Sequence, residues 1–70
     1  MITIEAFERF AAIVQRLTGW RKGQTYFNLA YEIAPDATNS LRGTSVDPFY
    51  QDANILKFGA KLVEKGVLIQ

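Results

Sequence analysis

The chain contains no cysteine and no histidine among its 70 residues. Without cysteine, disulfides and thiolate chemistry are excluded, and a reducing compartment such as the cytoplasm suits the chain best. Without histidine, the commonest metal ligand and the commonest general base are missing. Catalysis would then need paired carboxylates, an activated lysine or a metal, and the seven acidic residues are scattered along the chain. We therefore expect no enzymatic activity, no cofactor and no metal.

Long apolar runs and an excess of charge are also missing. The longest purely apolar run covers residues 10–14, which is too short for a bilayer, and the N-terminus has no signal-peptide pattern. The net charge is +1, too small to draw the protein onto a polyanion by itself. Hydrophobic residues make up 49% of the chain, which is typical of a folded domain. We expect one soluble cytoplasmic domain over residues 1–70, without membrane attachment.

The N-terminal segment has the signals of an amphipathic helix over residues 4–18. Thr3 can cap its start, and Gly19 is a natural stop. Glu5 and Arg9 are spaced for an i,i+4 ion pair on its outside. Apolar residues recur at spacings of three and four and predict one core-facing side, made of Ile4, Phe7, Ala11, Val14 and Leu17.

A second helix is predicted over residues 22–34. It is apolar nearly all the way round, which places it in the middle of a bundle with neighbours on two sides. Its narrow polar stripe consists of Thr25, Asn28 and Glu32. Pro35 ends this helix, because its ring disfavours helical geometry in the preceding residue.

Two more helices follow, a short one over residues 36–42 and a last one over residues 53–65. Asp52 is a good N-cap for the last helix. Gly59 in its middle predicts a close approach to a bulky neighbour, for which an aromatic of the second helix is the natural candidate. The fold class predicted is therefore all-α, a small compact bundle of three main helices plus one short helix.

The two ends of the chain, residues 1–3 and 67–69, are β-prone. They could pair as strands or fold over the end of the bundle, and we favour packing because two isolated strands of three residues are weak. The apolar residues 67–69 could also form a dimer contact, so a homodimer stays open.

The stretch LRGTSVDPFY, residues 41–50, lies between helical segments and allows two interpretations. In the structural one, which we favour, Asp47 caps a helical turn and Arg42 forms a salt bridge with Asp47 or Asp52. Phe49 or Tyr50 would then insert between the second and last helices. In the functional one, a rigid corner presents a polar recognition surface made of Arg42, Thr44, Ser45 and Asp47.

A second cluster mixes cations with aromatic residues at the junction of the first two helices: Arg16, Trp20, Arg21, Lys22 and Tyr26. Such a mixture suits nucleic acid, and the two helices superficially suggest helix-turn-helix. The second helix, however, is too apolar to lie exposed in a groove, and its polar stripe carries Glu32 without Arg or Lys. A structural interpretation is also open, in which Trp20 covers the end of the bundle while Arg21 and Lys22 are solvated. Nucleic-acid binding at this junction is therefore kept as the alternative function.

The spaced pattern Gly23-Gln24, Phe27-Asn28, Tyr31-Glu32, Pro35, Arg42-Gly43-Thr44, Asp47-Pro48-Phe49-Tyr50 and Asp52 resembles a group of short, uncharacterised proteins encoded by tailed bacteriophages and their prophages. The resemblance covers residues 23–58, about half of the chain. It implies a small phage-type accessory protein in a bacterial cytoplasm. The group has no assigned activity, so no functional residue is carried over, and the N-terminal helix lies outside the match.

We therefore predict a non-enzymatic protein-interaction module that binds and modulates a bacterial host protein. Tryptophan, tyrosine and arginine make good interface anchors. The candidate partner-binding residues are Trp20, Arg21, Lys22, Arg42, Thr44, Ser45 and Tyr50.

Overall fold

The structure is a computed structural model that describes residues 2–70. Its elements follow the chain in this order: β1 (Ile2–Thr3), α1 (Ile4–Thr18), α2 (Lys22–Ile33), α3 (Pro35–Asn39), a 3₁₀ helix (Asp52–Asn54), α4 (Ile55–Glu64) and β2 (Leu68–Ile69). Helix accounts for 65% of the chain, which confirms a mainly helical protein. The strand pair means that the fold is not purely all-α.

The two terminal strands pair in parallel, with Ile2 opposite Leu68 and Thr3 opposite Ile69. The prediction that the ends pack without pairing is therefore wrong. A Schellman-type turn at Gly66 (φ 78°) ends α4 and leads the chain into β2. Burial of Leu68 in the core then holds β2 beside β1, so tertiary packing supplies the support that two short strands lack on their own.

Helix α1 has the predicted bounds and caps. The Ala6 N–H donates to Thr3 Oγ1 at 3.0 Å, and the Gly19 N–H donates to the Gln15 carbonyl at 2.8 Å with Gly19 at φ 77°. The predicted Glu5–Arg9 ion pair is present, also at 3.0 Å.

The core-facing side of α1 is narrower than predicted. Phe7 and Ala11 are buried and Ile4 and Val14 are half-buried, but Leu17 is 82% exposed. Leu17 follows Ala11 by six residues, which at 3.6 residues per turn puts it about 120° away around the helix. The prediction that Leu17 faces the core is therefore wrong.

Helix α2 is central, as predicted, and ends at Ile33. The ring of Phe27 is only 2% exposed and lies 5.7 Å from the Phe49 ring and 5.9 Å from the Phe58 ring, measured between centroids. Thr25, predicted in the polar stripe, is instead buried, because its hydroxyl donates to the Arg21 carbonyl at 2.9 Å and so needs no water. The described buried apolar core comprises Phe7, Ala11, Tyr26, Phe27, Ala30, Leu41, Phe58, Leu62 and Leu68.

The second half of the chain differs from prediction in helix bounds and in contacts. Helix α3 ends at Asn39 and not at residue 42, and the last α-helix begins at Ile55 and not at residue 53. Asp52 begins the 3₁₀ helix and is not the N-cap of α4. Its carboxylate instead accepts from the Gly23 N–H at 2.9 Å, near the start of α2. Gly59 does allow a close approach, but the neighbour is Ile4 of α1, whose Cδ1 would lie 3.0 Å from an added Cβ, and not an aromatic of α2. In the part of the chain described, every helix is too short or too polar to cross a membrane.

Candidate functional site

The corner between α3 and α4 is held together by Asp47. Its two carboxylate oxygens accept from the Gly43 N–H at 2.6 Å and from the Phe49 N–H at 2.9 Å. Its carbonyl accepts from the Asn54 side-chain amide at 2.9 Å. A left-handed Gly43 (φ 74°) allows the chain to turn around this carboxylate. Asp47 therefore has the structural role that was favoured for it.

The corner rests directly on the first turn of α2. A Cβ added to Gly23 would lie 2.1 Å from the Pro48 carbonyl oxygen, so only glycine fits there. The N-cap residue of α2, Arg21, makes no side-chain hydrogen bond to the free N–H groups of the first turn. The Asp52 carboxylate accepts a hydrogen bond from one of these groups, the Gly23 N–H. The corner and α2 thus form one rigid unit.

The two aromatic residues of the corner face different environments. Phe49 is half-buried and packs edge-to-face on Phe27 of α2, one of the two helices between which it was predicted to insert. Tyr50 is 82% exposed, so the alternative insertion of Tyr50 is wrong. One aromatic anchors the corner and the other is left at the surface.

Arg21 connects the helix junction to this corner. Its Nη2 donates to the Phe49 carbonyl, and its guanidinium carbon lies 5.9 Å from the centre of the Tyr50 ring. Its neighbour Lys22 places its ammonium 6.0 Å from the centre of the Tyr26 ring. The structure therefore brings together Arg21 and Tyr50, which the sequence separates by 29 positions.

Arg42 does not form the predicted salt bridge. Among the described residues the ion pairs are Glu5–Arg9 and Lys61–Glu64. The Arg42 Nε donates to Asn39 Oδ1 at 3.0 Å, and its guanidinium carbon lies 4.8 Å from the centre of the Phe27 ring. The Asp47 and Asp52 carboxylates bind backbone N–H groups. Arg42 covers the aromatic core instead.

A cavity of about 340 Å³ opens at the corner. Within residues 2–70, the Thr44 hydroxyl donates to the Leu41 carbonyl at 2.7 Å, whereas the Ser45 hydroxyl and the side-chain amide of Gln51 make no hydrogen bond to another protein group. Gln51 and Asn54 were missed by sequence analysis, although their place beside the predicted corner was a usable signal. The residues lining the cavity are Gly43, Thr44, Ser45, Asp47, Tyr50, Gln51 and Asn54.

Trp20 does not join this surface. It is 37% exposed and lines a separate cavity of about 290 Å³ between α1 and α2. The other residues lining it are Val14, Asn28, Leu29, Tyr31 and Glu32. Arg16 is exposed on α1 and belongs to neither lining. The predicted partner-binding residues thus divide between two places.

The buried surroundings of Tyr26 alter its pKa. Burial, with a smaller contribution from the nearby Glu8 charge, raises the pKa of Tyr26 above its ordinary value of 10. Tyr26 belongs to the core, where its ring packs on Phe7 at 5.4 Å. Within residues 2–70, no three acidic side chains converge as a metal site would require.

Comparisons with protein-family models, with curated proteins and with solved structures give no match to this chain. The role of the corner is therefore argued from its geometry.

Proposed function

We propose that this protein is a small, non-enzymatic protein-interaction module that docks a partner on the corner surface, defined here as Arg21, residues 43–45, Tyr50 and Gln51. The observation that carries the proposal is the exposed Tyr50 ring beside the Arg21 guanidinium. Tyrosine and arginine are the residue types most often found as energetic anchors of interfaces. An 82% exposed tyrosine contributes little to a fold of this size, so its role lies at the surface.

The rigidity of the corner supports the same proposal. The Asp47 carboxylate and the Asp52–Gly23 hydrogen bond fix the backbone beneath Tyr50 before any partner arrives. A preorganised surface loses less conformational entropy on binding than a mobile one. The Ser45 hydroxyl and the Gln51 amide beside it then offer hydrogen bonds that a partner can use for specificity.

The partner that we propose is a protein of a bacterial host, whose activity is modulated by the binding. This part rests on the resemblance to phage and prophage proteins, whose pattern includes Gly43, Thr44 and Tyr50 of the corner surface.

The contacts made by the Arg21 and Lys22 side chains favour a protein partner over nucleic acid. Arg21 is bonded to the Phe49 carbonyl and Lys22 lies over Tyr26, so neither side chain is free to move to a phosphate without loss. A net charge of +1 also provides little attraction to a polyanion. We expect no appreciable binding of mixed DNA or RNA at physiological ionic strength. Tight, salt-sensitive binding that an Arg21→Ala/Lys22→Ala double variant loses would overturn this ranking.

The test compares two equally exposed side chains in affinity capture from bacterial lysate treated with nuclease. Tyr50→Ala removes the proposed anchor, and Leu56→Ala is the matched control, because Leu56 is 83% exposed but lies at the start of α4. We expect Tyr50→Ala to lose a partner that the parent and Leu56→Ala both retain. Equal retention by both variants would refute the corner as the docking surface.

A further inference from the structure

The cavity of about 290 Å³ between α1 and α2, named here the Trp20 cavity, combines apolar side chains with unpaired polar groups. Val14 and Leu29 are half-buried members of its lining, and Trp20 is 37% exposed. In the part of the chain that the structure describes, the side chains of Asn28 and Glu32 make no hydrogen bond or ion pair to another protein group. The corner surface contains none of these residues, so the Trp20 cavity is a separate candidate site.

The unpaired groups belong to the polar stripe that the sequence predicts on α2. Asn28 and Glu32 are four residues apart, so their side chains are neighbours on one side of the helix, with Cβ atoms about 5–6 Å apart. Thr25, the third member of the stripe, is buried, and its hydroxyl is already bonded to the Arg21 carbonyl. The fold therefore uses one member of the stripe and leaves an amide and a carboxylate side by side at the cavity.

The carboxylate and the amide decide the charge of the occupant. An apolar side chain in the cavity would displace water from both groups and give them no hydrogen bond in return, which is costly, most of all for the carboxylate. An anionic occupant would meet the charge of Glu32, the one charged residue among the six described lining residues. A cation with several N–H donors is attracted by this charge and can bond to Asn28 as well.

The mixture of apolar and polar lining selects arginine among the cations. The methylene stem of an arginine can lie along Val14 and Leu29, because such stems pack readily on apolar surface. Its planar guanidinium carries five N–H donors, enough to bind the Glu32 carboxylate at two points and the Asn28 carbonyl oxygen at a third. A lysine has the charge and the stem but not this planar, two-point geometry.

The aromatic residues of the cavity suit a guanidinium for a further reason. Guanidinium groups stack favourably on aromatic rings, and on tryptophan best of all. The chain itself contains such a contact, since the guanidinium carbon of Arg42 lies 5.8 Å from the centre of the Tyr31 ring. Arg42 is not part of the cavity lining, and its place over Tyr31 leaves Trp20 as the ring available to an incoming guanidinium.

The size of the cavity fits one long side chain. Its volume of about 290 Å³ is at the lower limit of small-molecule sites, which occupy roughly 300–1,000 Å³. Arginine is also among the residues most often found as anchors of protein interfaces. We infer that the Trp20 cavity binds an arginine side chain of a protein partner, with the guanidinium held by Glu32 and Asn28 against the Trp20 ring.

Trp20 is the one tryptophan of the chain, so its fluorescence reports directly on the cavity. The probes are three tripeptides blocked at both ends, with arginine, citrulline or lysine between two glycines. We expect the arginine peptide to shift the Trp20 fluorescence to saturation with a Kd on the order of 1 mM, as suits a single side chain. Citrulline has the same shape without the charge, and lysine has the charge without the planar group, so both should bind at least about fivefold more weakly. Equal affinity for the arginine peptide and either of the others, or no saturation by about 20 mM arginine peptide, would overturn the inference.

A pair of matched variants tests the role of the carboxylate. Glu32→Gln removes the charge and keeps the shape of the side chain, and Glu8→Gln makes the same change at an exposed residue of α1 outside the cavity lining. We expect Glu32→Gln to bind the arginine peptide at least about fivefold more weakly and Glu8→Gln to bind it like the parent, with parent-like circular dichroism for both. Equal weakening by the two variants would show a general attraction between charges and would overturn the site.

Free arginine separates a protein partner from a small-molecule ligand. Because the cavity has the size of a side chain, the α-amino and α-carboxylate groups should add no contact, and we expect free arginine to bind no more tightly than the blocked peptide. Binding of free arginine at least about tenfold tighter would assign the cavity to the amino acid and would overturn the protein partner. These titrations need neither the corner surface nor a partner from lysate, so their outcome is independent of the proposed function.

Discussion

Gly23 offers a sharp test of how the corner and α2 are joined. Replacing glycine by alanine inside a helix ordinarily stabilises a protein by about 0.5–1 kcal/mol. At Gly23 the new Cβ would lie 2.1 Å from the Pro48 carbonyl oxygen and 2.7 Å from Asp52 Oδ1. The first of these atoms is backbone, so it cannot rotate away, and the corner would have to move by more than about 1 Å to reach an ordinary contact distance.

The expected result is a reversal of the usual sign. Overpacking of this kind costs about 1–3 kcal/mol, and displacement of the Asp52 carboxylate from the Gly23 N–H adds the loss of a cap, about 0.5–2 kcal/mol. After the helix-propensity gain of about 0.5–1 kcal/mol is subtracted, the midpoints of these ranges make Gly23→Ala destabilising by about 2.5 kcal/mol, with extremes of about 0.5 and 4.5 kcal/mol. For a domain of this size the midpoint lowers the melting temperature by roughly 10–20 °C, which circular dichroism can follow.

Gly59→Ala is the control within the same chain. Its new Cβ would meet only Ile4 Cδ1, at 3.0 Å, which is the tip of a flexible side chain. We expect Gly59→Ala to stay within about 1 kcal/mol of the parent, because the helix-propensity gain and the small shift of Ile4 oppose each other. If Gly23→Ala melts as high as Gly59→Ala, the corner does not rest on α2 as described.

Three further outcomes are expected. Phe27→Ala should cost about 3–5 kcal/mol in denaturant unfolding because it deletes a buried central ring, and a loss of less than 1 kcal/mol would mean that α2 is not central. Asp47→Ala should lower the free energy of unfolding by about 0.5–2 kcal/mol, because it leaves two backbone N–H groups without their acceptor. Arg42→Ala at the exposed edge should lower it by no more than about 1 kcal/mol. The reverse order would contradict the structural role of Asp47. Because burial and Glu8 raise the pKa of Tyr26 in the folded state, its contribution to stability is complete below pH 10 and is lost as the pH rises through the folded pKa, so Tyr26→Phe should flatten this alkaline loss.

Local signals in the sequence determined the helices. Thr3 marks the start of α1 and Gly19 its end, and Pro35 separates α2 from α3. These positions were predictable because each residue acts through contacts within a few residues of itself. The central place of α2 also followed from its nearly continuous apolar surface. Asp47 belongs to this class, since both N–H groups that it binds lie within four residues.

Only the tertiary structure decided the contacts between distant segments. Asp52 is an ordinary N-cap candidate in sequence, yet its carboxylate binds Gly23, 29 residues away. Arg42 likewise lies against the Phe27 ring and not beside a carboxylate. The parallel pairing of β1 with β2 likewise joins the two ends of the chain. No local pattern in the sequence signals either contact. Both depend on how the helices pack, because that packing decides which distant segments come to lie side by side. The same holds for the candidate site, because Arg21 and Tyr50 lie side by side only through the packing of the corner on α2.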